Sequence, residues 1–244
     1  MLNPLTRKLL AFCDFTSAER RALARLGEYG VQRLPGNGLG NDPRKPGDVY
    51  LVVDGWAQRY KILPDGGRQI LAYLLPGDMS ERDTDVFGGF DHEMEAIGYA
   101  TVCQISKQTL LETERDHPRI AIALAWAACV ERATLQEWIA NLGRRSPERR
   151  VAHLLCELWR RMAIIGNADG DVMSFPVSQV QLADTVGLTP VTVNRIIQRL
   201  RQQNTIILQN GKLQVLQAEQ LCTMAGFDAA YLYADNSHAK SHDF

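Results

Sequence analysis

Arg195, Gln198 and Gln202 follow one another at spacings of three and four, with Val191 on the same side and Asn194 and Arg199 flanking it. Guanidinium and carboxamide groups on one helix face can form paired hydrogen bonds with guanine and adenine edges, and a helix is the element that fits the major groove. The chemistry implied is recognition of duplex DNA rather than bond making. An ordinary amphipathic helix with a solvated basic face has the same pattern, so both readings stand at this point. Catalysis finds little support, because G-x-S-x-G, H-E-x-x-H, Walker and dinucleotide fingerprints are all absent, and no enzyme is expected. Gly36 to Gly40 is glycine-rich but lacks the following helix that a phosphate cradle needs, and reads as a turn.

The elements that must position these side chains are legible from their caps. Ser178 followed by Gln181 makes a capping box that opens one helix, with Val180, Leu182, Ala183 and Val186 as its apolar stripe and Gly187 to end it. Thr189 is an N-cap with Pro190 at the first helical position, so a second helix restarts after a short turn. On that helix Val193, Ile196, Ile197 and Leu200 form the core stripe, which turns Arg195 and its neighbours outward. Downstream, β-prone runs over Thr205 to Leu208 and Leu213 to Leu216 flank Gln209-Asn210-Gly211-Lys212, and Asn-Gly is a strong hairpin signal. Two capped helices and a hairpin read as a winged helix-turn-helix, with Lys212 at the wing tip either meeting phosphate or simply solvated.

Charge distribution agrees. The formal net charge over 244 residues is only -1, yet from Arg144 to Lys212 there are ten Lys or Arg against five Asp or Glu, which leaves the remainder acidic. A basic module is therefore joined to an acidic one. With 45% hydrophobic and 23% charged residues the chain is long enough for two modest domains and is not compositionally disordered. Cys13, Cys103, Cys129, Cys156 and Cys222 are scattered without C-x-x-C spacing, so neither a disulfide framework nor a zinc site is indicated and reduced thiols are expected. The N-terminus has no long apolar leader, and the most apolar run, Ile120 to Val130, falls short of the roughly twenty residues that span a bilayer. The expectation is a cytoplasmic protein with no membrane partner.

The N-terminal part reads differently. Leu9, Leu10 and Phe12 lie in a first helical region and Thr16-x-x-Glu19 starts a second, after which short apolar runs take over near Val31. Val49 to Val53 followed by Asp54-Gly55, then Trp56 to Leu63, a turn at Pro64 to Gly67, and Gln69 to Leu75 before Pro76-Gly77-Asp78 suit an antiparallel β-roll or small barrel. Pro118 to Leu142 has no glycine and no further proline, which allows a helix of about seven turns. Leu124, Ala128, Leu135, Trp138 and Leu142 recur along it as a seam for a twin helix, although a buried helix of a monomer would carry a similar pattern.

In that order, three blocks carry a family resemblance. DVYLVVDGWAQRYKILPDGGRQILAYLLPGD from Asp48 to Asp78 resembles the β-roll of the cyclic AMP receptor protein and Fnr family of bacterial transcription regulators. LGRRSPERRVAHLL from Leu142 to Leu155 is similar to its domain junction, and QLADTVGLTPVTVNRIIQRLR from Gln181 to Arg201 to its DNA reader. The resemblance spans about residues 5 to 220. It implies an α+β architecture: a jelly-roll sensor resembling a cyclic-nucleotide-binding domain over 1–116, a dimerisation helix over 117–143, the winged helix-turn-helix over 144–222 and a tail over 223–244. It also implies a homodimer on a pseudo-palindromic site, with RNA polymerase as a partner. Arg195 matches the family's recognition arginine, and Thr192 with Val193 matches its Thr-Val pair. Thr189-Pro190-Val191 stands where many relatives carry a polar trio, and Val191 suits a thymine methyl rather than cytosine, so the half-site should differ. Ser178, Gln179, Arg199 and Lys212 are the candidates for phosphate contact, and Thr189, Pro190, Val191, Thr192, Asn194, Arg195 and Gln198 for the rest of the DNA surface.

The signal is less legible. Pro76-Gly77-Asp78-Met79-Ser80 lacks the family's Gly-Glu, and the region where its phosphate-binding arginine is expected reads Phe90-Asp91-His92-Glu93-Met94. Carboxylates there oppose a cyclic phosphate unless His92 or Arg82 compensates, so a cyclic nucleotide is not expected. Only Cys13 lies where the oxygen-sensing branch groups its thiolates, so an iron-sulfur cluster is not expected either, and no other cofactor is. A haem or a single oxidisable thiol stays open, with His238 and His242 placed in the tail. Three functions remain: a signal-controlled regulator, a constitutive regulator without ligand, and a small-molecule sensor whose helix-turn-helix binds protein.

Overall fold

Capping decides where most helices of this chain begin. The computed structural model describes residues 2–35, 48–82 and 92–233, so Gly36 to Gly40, Phe90, Asp91, His238 and His242 lie outside the described residues. Asn3 caps α1 (Pro4–Leu9), and Thr16 with Glu19 forms the anticipated capping box of α2 (Ser17–Leu26). Four strands follow: β1 (Val31–Pro35), β2 (Val49–Ile62), β3 (Arg68–Leu74) and β4 (Glu93–Ile105). They make an antiparallel sheet in the order β1-β4-β2-β3, with Val31 opposite Cys103 and Val52 opposite Val102. Helices α3 (Lys107–Asp116), α4 (Pro118–Arg144) and α5 (Pro147–Ile164) come next.

The chain divides into two units. The first holds residues up to 61 and from 72 to 130, and the second 62–71 and 131–232. In the first, Leu5, Leu9, Phe12, Leu23 and Leu26 of the N-terminal helices pack with Leu51, Ile105, Ile120 and Leu124. Phe12 meets Trp126 edge to face at 6.1 Å.

Asp54-Gly55, which punctuates two apolar runs in the sequence, does not separate two strands. Strand β2 runs through it without a break, and the register slips on both sides of Gly55. The residue has φ +73, and a Cβ there would collide with the Tyr99 carbonyl oxygen, so the Asp-Gly pair makes a bulge instead of a reversal. Trp56 to Arg59 beyond it are all buried, which shows both faces of this stretch to be covered.

Helix α4 corrects the predicted seam. Leu124 is buried in the first unit and Trp138 in the second, while Leu142 is half-buried; only Ala128 and Leu135 of the five are exposed. The exposed line lies one residue further along, through Ala125, Cys129, Gln136, Ile139 and Gly143. At about 100° per residue, a one-residue offset moves a stripe by more than a quarter turn. The helix carries adjacent apolar lines, and spacing alone does not say which one its own chain consumes.

In the second unit α5, capped by Ser146, buries Val151 to Leu158 without a break. A second antiparallel sheet takes the order β5-β6-β8-β7, from β5 (Ala168–Asp169), β6 (Val172–Ser174), β7 (Ile206–Gln209) and β8 (Lys212–Val215). Between β6 and β7 lie α6 (Gln179–Val186) and α7 (Pro190–Gln202). Helix α8 (Ala218–Ala225) and a 3-10 turn (Ala229–Leu232) continue past residue 222, where the sequence reading places a tail. The reason is aromatic packing: Phe227 and Tyr231 clasp the buried His153 ring, Phe227 edge-on at 5.2 Å and Tyr231 stacked at 6.2 Å. Among the described residues no helix is long and apolar enough to cross a membrane, and none of their His, Cys, Asp and Glu side chains group in threes around a metal position.

Candidate nucleic-acid interface

The reader is built from its caps outward. Gln181 N–H donates to Ser178 Oγ at 3.2 Å, and Ser178 N–H donates back to Gln181 Oε1 at 2.9 Å, so both orphan donors at the start of α6 are satisfied. Gly187 ends α6 at φ 62, ψ 45, the left-handed conformation that reverses the chain without a Cβ clash. Thr189 then accepts from Thr192 N–H at 3.2 Å with Pro190 in the first turn. Arg150 of α5 braces this corner by donating to the Val186 carbonyl at 3.3 Å and the Arg145 carbonyl at 2.9 Å.

Helix α7 sorts its residues as the sequence spacing predicts. Val193, Ile196, Ile197 and Leu200 are buried, at 0%, 4%, 2% and 3% exposure. Val191, Asn194, Arg195, Gln198, Arg199 and Gln202 are exposed. Val180 departs from the reading of α6: it is exposed, because it falls at the second position of an eight-residue helix whose inner face is taken by Leu182, Ala183 and Val186.

The two arginines of the outer face differ in their surroundings. Among the described residues no carboxylate pairs with Arg195, whereas Arg199 makes an ion pair with Glu148 of α5. Arg195 can therefore engage a base edge without first giving up a partner, while Arg199 must exchange Glu148 for a phosphate. Lys212 is exposed at the wing, where Asn210 (φ 52) and Gly211 (φ 68) form the tight turn between β7 and β8. Ser178 and Thr189 are exposed at the two helix starts, Pro190 beside Thr189; Gln179 and Thr192 are half-buried. One further contact was not anticipated: Arg68 donates to Asp184 of α6 at 2.8 Å within the second unit, neutralising an acid on the reader.

A buried polar cluster that the sequence reading missed anchors α5 behind this surface. Glu157 is fully buried and accepts from Trp138 Nε1 at 3.0 and 3.1 Å and from the Tyr231 hydroxyl at 2.9 Å, with Arg161 at 3.5 Å. Burial pushes its carboxyl above the ordinary range, against Arg161 and the two donors. Burial and then Arg145 hold His153 down to about 4, against Glu137. The signal that could have found the cluster is a lone Glu in the apolar stripe of α5.

In the first unit the two effector candidates are separately engaged. Arg82 pairs with Glu114 of α3. His92 is buried with Nε2 3.5 Å from Glu81, whose other oxygen accepts from Arg59 at 2.7 Å. Arg59 is 4% exposed and was missed because it sits in mid-strand, where alternation predicts an outward cation. Asp78 accepts from Leu75 N–H at 2.7 Å and pairs with Lys8 at 2.5 Å, so the Pro76-Gly77-Asp78 loop is held by the chain's own charges.

Comparison with known proteins agrees with this architecture. Residues 149–224 match the Crp-like helix-turn-helix domain and residues 41–117 the cyclic nucleotide-binding domain. The chain is 31% identical over 176 residues to the nitrogen fixation regulation protein FixK of Bradyrhizobium diazoefficiens, covering 72% of this chain and 73% of that protein. To the transcriptional activatory protein AadR of Rhodopseudomonas palustris it is 29% identical over 217 residues, 88% of this chain and 89% of the relative. The solved structure of FixK2 from Bradyrhizobium japonicum superposes with a TM-score of 0.67 at 26% identity, covering 80% of this chain and 96% of that one. With the capped reader, the wing and the N-terminal sheet in the family's order, the chain belongs to the Crp/Fnr family of DNA-binding transcription regulators.

Proposed function

We propose that the protein acts as a homodimer on a pseudo-palindromic DNA site, with the N-terminal unit biasing the reader in response to a signal other than cyclic AMP. The observation that carries the reading is the outer face of α7, where Arg195 stands exposed with no carboxylate paired to it among the described residues. Val191, at 79% exposure beside it, offers an apolar contact suited to a thymine methyl. Ser178, Gln179, Arg199 and Lys212 supply the phosphate contacts that set register, and Thr189, Pro190, Thr192, Asn194 and Gln198 complete the surface. Dimerisation is supported by apolar side chains left open on α4: Ile139 stands 71% exposed, and Leu135 and Ile122 are also open. RNA polymerase is the partner this reading assigns to the bound dimer, in the cytoplasm, and it calls on no metal or iron-sulfur cluster.

The engagement of Arg59 by Glu81 and of Arg82 by Glu114 argues against a cyclic phosphate as the signal, since each cation would have to leave a carboxylate to meet it. The same pairs favour a second reading, in which the regulator is constitutive and its own side chains fill the effector region. Selection of bound duplexes from a random pool, with and without cyclic nucleotides and under oxidising and reducing conditions, tests both. A two-fold symmetric site whose recovery is insensitive to cyclic AMP is the expected result. Failure to enrich any sequence at low salt overturns the DNA-reading proposal.

A further inference from the structure

Two of the five thiols meet inside the DNA-binding unit. Cys156 lies on α5 and Cys222 on α8, and their sulfurs are 3.8 Å apart although the residues are 66 positions apart in sequence. Cys156 is fully buried, while Cys222 is partly open to solvent. We propose that Cys156 and Cys222 form a peroxide-oxidisable dithiol, closing to an intrachain disulfide that clamps α8 to α5 around the whole reader.

The asymmetry of the pair divides the labour. Hydrogen bonding between the two sulfurs pulls the Cys222 thiol down to about 7, against its partial burial and with help from the Arg160 charge. Burial pushes the Cys13 and Cys103 thiols up, so they lack this activation. The thiolate is the nucleophile, and Cys222 is the sulfur an oxidant can reach. It attacks a hydroperoxide oxygen; the O–O bond breaks, hydroxide leaves, and Cys222 becomes a sulfenic acid. The Cys156 sulfur then attacks the Cys222 sulfur, the S–S bond forms, the S–O bond breaks, and water departs with the Cys156 proton. Two thiols are oxidised and one peroxide is reduced to two waters.

The sulfurs already face each other at 3.8 Å. A disulfide needs them about 2.05 Å apart, so the pair must close by about 1.8 Å. The resulting loop encloses α6, α7 and both strands of the wing. Tying off so long a loop restricts the unfolded chain more than the folded one, so the oxidised reader should be the more stable form.

The test uses the full chain with Cys129→Ser, which removes the exposed thiol from play. Hydrogen peroxide should yield a linked peptide joining Cys156 and Cys222, a mass loss of two hydrogens reversed by dithiothreitol, and a melting temperature higher by about 10 °C. Cys222→Ser should abolish the link, and Cys156→Ser should leave Cys222 as a sulfenic acid trapped by dimedone. Equal dimedone labelling of Cys222 with and without Cys156 overturns the proposal, as does the absence of any thiol loss. A linked peptide with no rise in melting temperature overturns the claim that the bond fits the native packing.

Discussion

Replacing Arg195 with Ala separates base reading from phosphate attraction. The side chain is exposed and no carboxylate is paired with it among the described residues, so the substitution removes a DNA contact without releasing an internal partner. A bidentate contact to a base is worth about 1 to 3 kcal/mol of discrimination, which corresponds to a loss of about 5- to 150-fold at the selected site. On a scrambled duplex only one cation is lost from the field, and the cost should be far smaller. Lys212→Ala is the contrasting control: it should weaken both duplexes alike and lower the salt slope by about 1. Glu148→Gln completes the set. Freeing Arg199 from a surface ion pair worth about 0 to 1 kcal/mol should raise affinity for both duplexes by up to about fivefold, and the gain should fade in high salt. Fluorescence anisotropy with the two duplexes across a salt series measures all three. If Arg195→Ala lowers affinity equally on both duplexes, or on neither, the base-reading assignment of α7 is refuted.

In the proposed dimer, Ile139→Glu should raise the dissociation constant by at least about 100-fold in sedimentation, since it replaces the most exposed apolar side chain of the seam with a carboxylate; because Ile139 is exposed, the monomer's melting temperature should hold. Trp138→Phe should leave dimerisation unchanged but cost about 1 to 3 kcal/mol in urea unfolding, because buried Glu157 loses its indole donor; weakened association would return Trp138 to the interface. His153 is held down to about 4 when folded and titrates near 6.5 when unfolded, so between those values the unfolded chain binds the extra proton and stability falls as pH falls. The loss should reach about 3 kcal/mol at pH 4, and urea melts of His153→Leu should show that slope flattened. Ile197→Ala should destabilise the DNA-binding unit by about 2 to 5 kcal/mol, read by thermal melting, through the cavity it opens under the recognition helix.

What could be read from the sequence depended on whether a residue's role was set by its neighbours in the chain or by distant ones. The boundaries of α6 and α7 follow from Ser178, Gln181, Gly187, Thr189 and Pro190, each acting within a turn of itself, and apart from Val180 the inward and outward faces of the reader follow from the spacing. The bulge at Asp54-Gly55 did not, because an Asp-Gly pair serves a turn or a bulge equally well and the choice lies with Tyr99 across the sheet. The α4 seam failed for a related reason. Leu124 and Trp138 satisfy a dimer pattern, but Leu124 is taken by Leu5, Leu9 and Phe12 in its own unit, and the Trp138 indole by Glu157. What is left for a twin is the next line along the helix, poorer in apolar residues and interrupted by Arg132 and Gln136. Such a seam buries less apolar surface, so association should be weaker than the sequence pattern implies, and a small bias from the N-terminal unit would then shift the fraction of dimer bound to DNA. The same logic reaches the effector region. Arg59 and Glu81 are 22 positions apart and invisible as a pair in sequence, yet their contact answers the question the loop at Asp78 raised: the positive charge exists, and a carboxylate of the same unit already holds it. A ligand acting there must displace Glu81 or work through it, so the strength of that pair is part of what any signal entering through Arg59 has to overcome.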